Sequence, residues 1–241
     1  DGSNMTQLSN NSAVDMWASW GGGLTSSITP VTPVTIPTPT TSGGGSTGGT
    51  TRFTTPLDVY FLEDMSGSFS DDLGTVQRLL PNIVTTLQTF SSETKFGLGT
   101  FVDKPMYPYG STSDYVYRND LSLTTSLSSF QSAVSGLRIL SGADTPEAQL
   151  EALLQVANHT SDIGFRSDSK KVVVLSTDAS YHVGGSSTLP ANNGDGVLDG
   201  TPAGTGEDYP TVEQLRSDLL AANIIPLFAV TSDQVSTYQS L

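Results

Sequence analysis

Four short and largely apolar runs constrain the fold of this chain more than any other feature. They are LDVYFLE at 57–63, KFGLGTFV at 95–102, KVVVLS at 171–176 and IIPLFAV at 224–230. Each has the length of a strand and a nearly continuous apolar character, which is typical of strands buried on both faces. The sequence therefore predicts an α/β fold with a doubly wound, mostly parallel central sheet and helices on both faces.

The segments that alternate with these runs have helical periodicity. Apolar residues after the first run recur at helical spacing, and a break or kink is expected near Pro81. Two further helices are expected at 126–137 and 211–222, and a last helix is expected to begin within 232–241. Strands and helices therefore alternate along most of the chain, as a parallel sheet requires.

One more helix is expected within DTPEAQLEALLQVA, which begins at Asp144. Asp144 or Thr145 is a suitable amino-terminal cap for this helix, and Pro146 suits its first turn. We therefore expect the helix to begin directly after Asp144 or Thr145.

Oxygen-bearing side chains gather where the predicted strands end. Ligands of open α/β sheets bind at the carboxyl edge of the strands, so these side chains are expected to converge there. Several carboxylates cannot share a partly dry pocket without neutralisation, and an oxygen-only ligand set suits Mg²⁺ or Ca²⁺. Taken singly, each residue is equally typical of a turn or a helix cap. The residues are Asp64, Ser66, Ser68, Asp103, Asp144, Glu147 and Asp178.

Composition argues against several classes of partner. The chain has 10 Lys and Arg against 24 Asp and Glu, a net charge of −14, which argues against nucleic acid and against an anionic membrane surface. It has no Cys, which excludes disulfides and thiolate metal sites. His159 and His182 are too few for a His-rich zinc site and are expected to be surface or core residues. No apolar run approaches the ~20 residues that span a bilayer, so no membrane insertion of this segment is expected.

The composition changes near residue 52. Residues 21–52 are mostly Gly, Thr, Ser and Pro, which cannot bury enough apolar surface to offset their ordering entropy. They are predicted to form a linker, of a kind common between modules of secreted or surface proteins. Residues 1–20 are predicted to form an amino-terminal helical segment, and residues 53–241 a single domain.

The loop that follows the first predicted strand resembles a motif of a known protein family. YFLEDMSGSFSDDL at 60–73 contains D-x-S-x-S, the signature of the metal-ion-dependent adhesion site of von Willebrand factor A domains. With FGLGTFVDKP, DTPEAQLEALLQVA, KKVVVLSTDASYH and NIIPLFAVT, it is similar to the I-like domain of integrin β subunits, in a prokaryotic-type relative. The resemblance spans about 53–241. It implies an extracellular or cell-surface module that captures an exposed Asp or Glu of a protein partner.

The resemblance also implies three ions in a row that share carboxylates. The central ion is usually Mg²⁺ in this family, and the two flanking ions are usually Ca²⁺; Mn²⁺ is expected to substitute. The implied ligands are Asp64, Ser66, Ser68, Glu147 and Asp178 for the central ion, Ser68, Asp71 and Asp72 for the adjacent ion, and Asp103, Asp144, Pro146 and Glu147 for the third. Ser68 and Pro146 would contribute carbonyl oxygens to the flanking ions.

The chain departs from the family pattern in three places. Gly142 replaces an Asn, so the third ion loses a side-chain ligand. The loop within 104–123 is short and has no disulfide, so ligand choice does not carry over. The family continues past TYQSL with a strand and a helix, and LSNNSAVDMWASW at 8–20 resembles the start of that helix. Residues 1–20 are therefore expected either to supply this helix, on their own domain or by exchange with a neighbouring copy, or to be the tail of a preceding module.

Three other interpretations stay open. NNGDGVLDG at 192–200 resembles an EF-hand calcium loop but lacks the Glu at its twelfth position, where Ala203 stands. An Asp after a strand also opens Mg²⁺-dependent phosphohydrolases, but these need a second Asp where Ser66 stands. The ions could also have only a structural role, stabilising the loops. We expect a binding module rather than an enzyme.

Overall fold

The computed structural model describes residues 55–187 and 191–241. The predicted amino-terminal segment and linker lie outside the described residues, so the rearranged order remains a prediction. The strands are β1 (Leu57–Asp64), β2 (Lys95–Phe101), β3 (Arg118–Thr124), β4 (Lys170–Thr177) and β5 (Ile224–Val230). The α-helices are α1 (Leu73–Phe90), α2 (Leu127–Gly136), α3 (Gln149–Asn158), α4 (Thr160–Ile163), α5 (Val212–Ala221) and α6 (Val235–Tyr238). No helix among the described residues is long and apolar enough to cross a membrane.

The five strands form one sheet in the order β3-β2-β1-β4-β5. β1 pairs in parallel with β2 and β4, and β4 pairs in parallel with β5, while β2 and β3 are antiparallel. Asp64 lies opposite Phe101 of β2, and Glu63 lies opposite Ser176 of β4. The carboxyl ends of the three central strands are therefore level, which brings the residues that follow them to one edge of the sheet.

Two apolar cores cover the faces of this sheet. On one face, Phe61 and Phe96 pack with Phe130 of α2 and with Val84 of α1. On the other face, Tyr60, Leu62 and Leu175 pack with residues of α3 and α5. Helices therefore cover both faces, and the prediction of a doubly wound, mostly parallel sheet is confirmed.

Two local features differ from the predictions. α1 runs without a break from Leu73 to Phe90 although Pro81 lies inside it, so of the break or kink expected there the break is absent. The helix loses one backbone donor at this proline, but Leu80 and Val84 hold it against the sheet. β3 was not predicted, because its sequence RNDLSLT is polar and it lies half-exposed at the edge of the sheet.

The predicted start of the third helix was also wrong. α3 begins at Gln149, and Ala148 precedes it without a side-chain cap, so neither Asp144 nor Thr145 caps the helix. Glu147 instead forms an isolated β-bridge with Tyr181. Its N–H donates to the Ser180 carbonyl at 2.9 Å, and its carbonyl accepts the N–H of His182 at 3.0 Å. Because these bonds hold Glu147 in a bridge with the loop after β4, the helix cannot begin before it.

A buried ion pair fixes the end of β1 that is opposite the oxygen-rich edge. Asp58 is fully buried, and its carboxylate accepts hydrogen bonds from the backbone N–H and the guanidinium of Arg166, at 2.6–2.9 Å, and from the Ser169 hydroxyl at 2.6 Å. The Arg166 side chain is 21% exposed. The pair ties the segment before β4 to the start of β1.

Arg166→Leu should lower the free energy of unfolding by about 3 kcal/mol, because it leaves the buried Asp58 carboxylate without its charge partner. Urea denaturation in the presence of Mg²⁺ and Ca²⁺ measures this loss. Arg118→Leu is the matched control. The Arg118 side chain is 53% exposed in its ion pair with Asp120, so removing it should lower the free energy of unfolding by about 1 kcal/mol or less. Equal losses for the two variants would contradict the prediction.

Candidate metal centre

The last residue of β1 and two serines of the loop after it lie beside the end of β4 at the carboxyl edge of the sheet. Asp64 is fully buried; its Oδ1 accepts the N–H of Ser66 at 2.7 Å and its Oδ2 accepts the Thr177 hydroxyl at 2.6 Å. The Ser66 and Ser68 hydroxyls lie 3.2 Å apart, and Ser68 donates to Asp178 Oδ1 at 3.0 Å. Two carboxylates and two hydroxyls from loops 110 residues apart in sequence therefore converge.

Burial raises the pKa of two carboxyls in this group. Burial raises the pKa of Asp64 to about 6, although the hydrogen bonds from Thr177 and Ser66 oppose the shift. Burial also raises the pKa of Asp178, to which the charges of Asp71 and Asp233 add. Both shifts have the same largest cause, which is that burial holds the negative charge out of water.

Glu147 joins this group from the turn before α3. It is 2% exposed, and the β-bridge to Tyr181 fixes its backbone. Burial, followed by the charges of Asp64, Asp103 and Asp144, raises its pKa to about 11. Glu147 is therefore within electrostatic range of residues of both the central and the third predicted sets.

Two residues of the predicted third set, Asp103 and Asp144, meet at the ring of His182. Nε2 of His182 lies 3.0 Å from Asp144 Oδ2 and 3.3 Å from Asp103 Oδ2. Asp103 is fully buried, and its other oxygen accepts the N–H of Lys104 at 2.6 Å and the hydroxyl of Tyr209. One atom from each of Asp103, Asp144 and His182 lies within 4.8 Å of the other two.

The predicted adjacent pair, Asp71 and Asp72, lies in the turn that leads into α1. Asp72 is the residue before this helix, but its side chain does not cap it. Burial raises the pKa of Asp72, and the charges of Asp71 and Asp178 add to the shift. Asp178 therefore interacts with this pair as well as with Ser68.

Buried oxygens that accept no hydrogen bond indicate whether these residues could bind a cation. Among the described residues, buried Asp103 Oδ2, Asp144 Oδ1 and Glu147 Oε2 have no hydrogen-bond partner. A buried acceptor without a donor costs roughly 1–3 kcal/mol, and more when it is charged. Hard oxygen donors of this kind are the ligands that Mg²⁺ and Ca²⁺ prefer, so the third set, with Glu147 that it shares with the central set, fits a divalent cation.

Gly142 explains why the position of the family's Asn is closed to a side chain here. Its φ is +62°, in the left-handed region that favours glycine. A Cβ at this position would lie 2.6 Å from Glu147 Oε1. A side chain at 142 would therefore displace the Glu147 carboxylate rather than complete the third set.

Sequence reasoning missed three residues that hold or extend the site. Thr177 anchors Asp64. Asp114 accepts the N–H groups of Ser141 and Gly142, at 3.3 and 3.2 Å, and so holds the turn before Asp144. His182 was expected to be a surface or core residue; it is 9% exposed and contacts Asp103 and Asp144. Its place four residues after Asp178, in a loop already assigned to the site, was the available signal.

The loop resembling a calcium site lies outside these groups. Its side chains bond to one another and to their own backbone; Asn193, for example, donates to Asp195 at 3.0 Å and to Asp199 at 3.3 Å. Asn192 donates to Glu151 at 2.8 Å and to Glu207. Calcium binding there stays an untested alternative.

A parallel α/β sheet with Asp, Ser and Glu side chains converging at its carboxyl edge defines a domain of the von Willebrand factor A class. The family model described as "Integrin beta chain VWA domain" matches residues 53–241. The chain belongs to this family, as the sequence resemblance indicated.

Curated relatives are integrin β chains. The chain is 35% identical to integrin beta-4 of Rattus norvegicus over 208 residues, which cover 77% of this chain and 12% of the relative. It is 31% identical to integrin beta-PS of Drosophila melanogaster, over 77% of this chain and 24% of the relative. Among solved structures, the open conformation of the pilus adhesin SpaC from Lactobacillus rhamnosus GG matches with a TM-score of 0.47 and 20% identity, over 74% of this chain and 24% of that one. The chain therefore spans a quarter or less of these relatives.

Proposed function

We propose that residues 53–241 form an extracellular or cell-surface adhesion module, which captures an exposed Asp or Glu of a protein partner through a Mg²⁺ flanked by two further cations. Membership of the integrin β family supports an adhesive role. The observation that carries the proposal is the direct chain of contacts from Asp64 through Ser66 and Ser68 to Asp178.

Each of these residues has a defined part in holding the ion. Thr177 and the Ser66 N–H orient the Asp64 carboxylate. Ser66 and Ser68 offer neutral oxygens, so they position an ion without cancelling its charge. A Mg²⁺ in this cradle would supply net positive charge and an open coordination position for a partner's carboxylate. Glu147 would neutralise the central and the third ion from between them.

No observation favours catalysis by this site. An aspartyl phosphohydrolase needs an acid or base two residues after its nucleophile. In this chain that residue is Ser66, whose hydroxyl contacts Ser68. The adhesion proposal therefore has no competing catalytic proposal.

The proposal predicts Mg²⁺-dependent retention of the protein on immobilised seven-residue peptides with a central Asp. Retention should fall to background in EDTA, because the peptide carboxylate then has no ion to bind. The matched control is the same set of immobilised peptides with Asn in place of the central Asp. These peptides should retain only background protein. Equal retention with and without Mg²⁺, or by both sets of peptides, would show that capture does not depend on a metal-bound carboxylate.

A further inference from the structure

We propose that His182 is a metal ligand, and that Asp103, Asp144 and His182 hold a first-row transition-metal dication such as Zn²⁺ or Mn²⁺ rather than Ca²⁺. The imidazole Nε2 is 3.0 Å from Asp144 Oδ2 and 3.3 Å from Asp103 Oδ2. The nitrogen takes the place of the side-chain ligand that is missing at Gly142. This site is separate from the capture of a partner at Asp64.

Two buried oxygens of this cluster point to a ligand. Asp103 is fully buried, and its Oδ2 has no hydrogen-bond partner among the described residues. Asp144 Oδ1 is also a buried atom without a hydrogen-bond partner. Asp103 Oδ1, in contrast, accepts two hydrogen bonds, from Lys104 N–H and Tyr209 O–H. These two bonds fix the carboxylate so that its free oxygen faces His182, which is the arrangement that a cation between them requires.

The spacing of the donor atoms admits a divalent cation, and the imidazole of His182 favours a transition metal. Ligands about 2.0–2.2 Å from a tetrahedral Zn²⁺ lie about 3.3–3.6 Å from one another, and octahedral ligands at about 2.1 Å lie about 3.0 Å apart. Around Ca²⁺, with ligands at about 2.3–2.6 Å, octahedral neighbours lie about 3.3–3.7 Å apart. The distances from Nε2, 3.0 and 3.3 Å, are compatible with each of these ions, because the ligands of a seven-coordinate Ca²⁺ lie closer together than octahedral ones. The ligand type decides between them: imidazole is a ligand of Zn²⁺ and its neighbours, whereas Ca²⁺ takes oxygen.

The surroundings of His182 hold its ring in a fixed orientation. The ring stacks on Tyr209, with centroids 4.5 Å apart and an interplanar angle of 21°, and meets Tyr109 edge-on at 5.3 Å. Tyr209 also donates to Asp103, so one residue orients two of the three ligands. Supporting contacts of this kind are typical around metal ligands.

The competing interpretation is an ion triad without a metal, in which a protonated His182 bridges the two carboxylates. Lys104 lies nearby, with its ammonium 4.5 Å from the centre of the Tyr209 ring and 4.9 Å from that of Tyr109. In the triad, both imidazole nitrogens carry protons and neither can bind a metal. Nitrogen coordination therefore separates the two interpretations.

Pulsed electron paramagnetic resonance of the intact chain, stripped of metal and loaded with Mn²⁺, tests the proposal. Only the site with His182 offers a nitrogen ligand, so we expect ¹⁴N coupling in the wild-type protein, its loss in His182→Gln and its retention in His159→Gln. The loss of affinity in His182→Gln should reach at least the roughly 10–100-fold seen when supporting contacts of ligands are removed. Zn²⁺ should displace the nitrogen-coupled Mn²⁺ at a concentration at least tenfold lower than Ca²⁺ does.

Three results would overturn the proposal: no nitrogen coupling in the wild-type protein at saturating Mn²⁺, coupling that persists in His182→Gln, or displacement by Ca²⁺ as effective as by Zn²⁺. The first needs no variant and so does not depend on how His182→Gln folds. Asp64→Asn should abolish peptide capture and leave the nitrogen signal unchanged. Failure of this proposal and failure of the adhesion proposal are therefore distinguishable.

Discussion

Asp64→Asn is expected to lower Mg²⁺ affinity by more than about 100-fold, the upper end of what loss of a supporting contact costs, and to reduce peptide capture to the level in EDTA. Asp64 ends β1 at the centre of the site, where its two oxygens accept from Ser66 and Thr177. Asn keeps the shape of the side chain and the oxygen that accepts the Ser66 N–H, but it removes the negative charge that attracts the ion. Titration calorimetry with Mg²⁺ and the peptide-capture assay measure the two effects.

The fold of Asp64→Asn should survive, because burial raises the pKa of Asp64 to about 6 and charge at this position opposes folding when no ion is present. In EDTA the variant should therefore be at least as stable as the wild-type protein. Asp168→Asn is the matched control: Asp168 is exposed and precedes β4, at the opposite edge of the sheet. A variant at Asp64 that captures peptide normally in Mg²⁺ contradicts the proposed function.

The sheet could be predicted from the sequence because each central strand is specified by residues that are adjacent in the chain. Each central strand is a continuous apolar run, and such runs require cover on both faces. The same reasoning failed at β3, whose residues are partly exposed and gain their strand structure from pairing with β2. It also failed at α3, where Asp144 and Thr145 have good local capping chemistry, but the distant bridge to Tyr181 decides where the helix begins.

The residues of the candidate site also differ in whether local sequence predicts their position. Asp64, Ser66, Ser68 and Asp178 follow predicted strands directly, so their convergence follows from the parallel arrangement. His182 lies four residues beyond the nearest strand-end carboxylate, in a loop whose path the sequence does not specify. Its approach to Asp103 and Asp144 depends on the β-bridge and on Tyr209, which is 27 residues further along the chain. Contacts of this kind come from tertiary structure, so the place of His182 shortly after Asp178 marks it as a candidate but does not predict which residues it contacts.

The second large effect is expected for Glu147→Gln. This substitution should raise the free energy of unfolding without metal ions and lower it when they are bound. Burial and the charges of Asp64, Asp103 and Asp144 raise the pKa of Glu147 to about 11 from 4.5. In EDTA at about pH 7.5, the wild-type protein must take up a proton at Glu147 as it folds, which costs about 4 kcal/mol at 1.36 kcal/mol for each pH unit above the unfolded pKa. Gln carries no such cost, so without metal the variant should be the more stable protein by about that amount.

The pH dependence follows from the direction of this shift. A raised pKa in the folded protein means that the contribution of Glu147 to stability is complete below about pH 4.5 and is lost as the pH rises towards about 11. The advantage of the variant in EDTA should therefore vanish near pH 4 and grow with increasing pH. Urea denaturation at several pH values, with the exposed Glu213→Gln of α5 as the control, measures this difference.

Saturating Mg²⁺ and Mn²⁺ should reverse the order of stability. A ligand at a thousand times its Kd stabilises the folded state by about 4 kcal/mol, and Glu147 lies where it would serve two ions, so the wild-type protein gains more than the variant. Stability and binding thus place opposite demands on one side chain: the carboxylate that makes the site attractive to cations destabilises the protein without them. If Glu147→Gln is instead less stable than the wild-type protein in EDTA, then a group of the protein itself neutralises this carboxylate, and the argument for shared cations at the sheet edge fails.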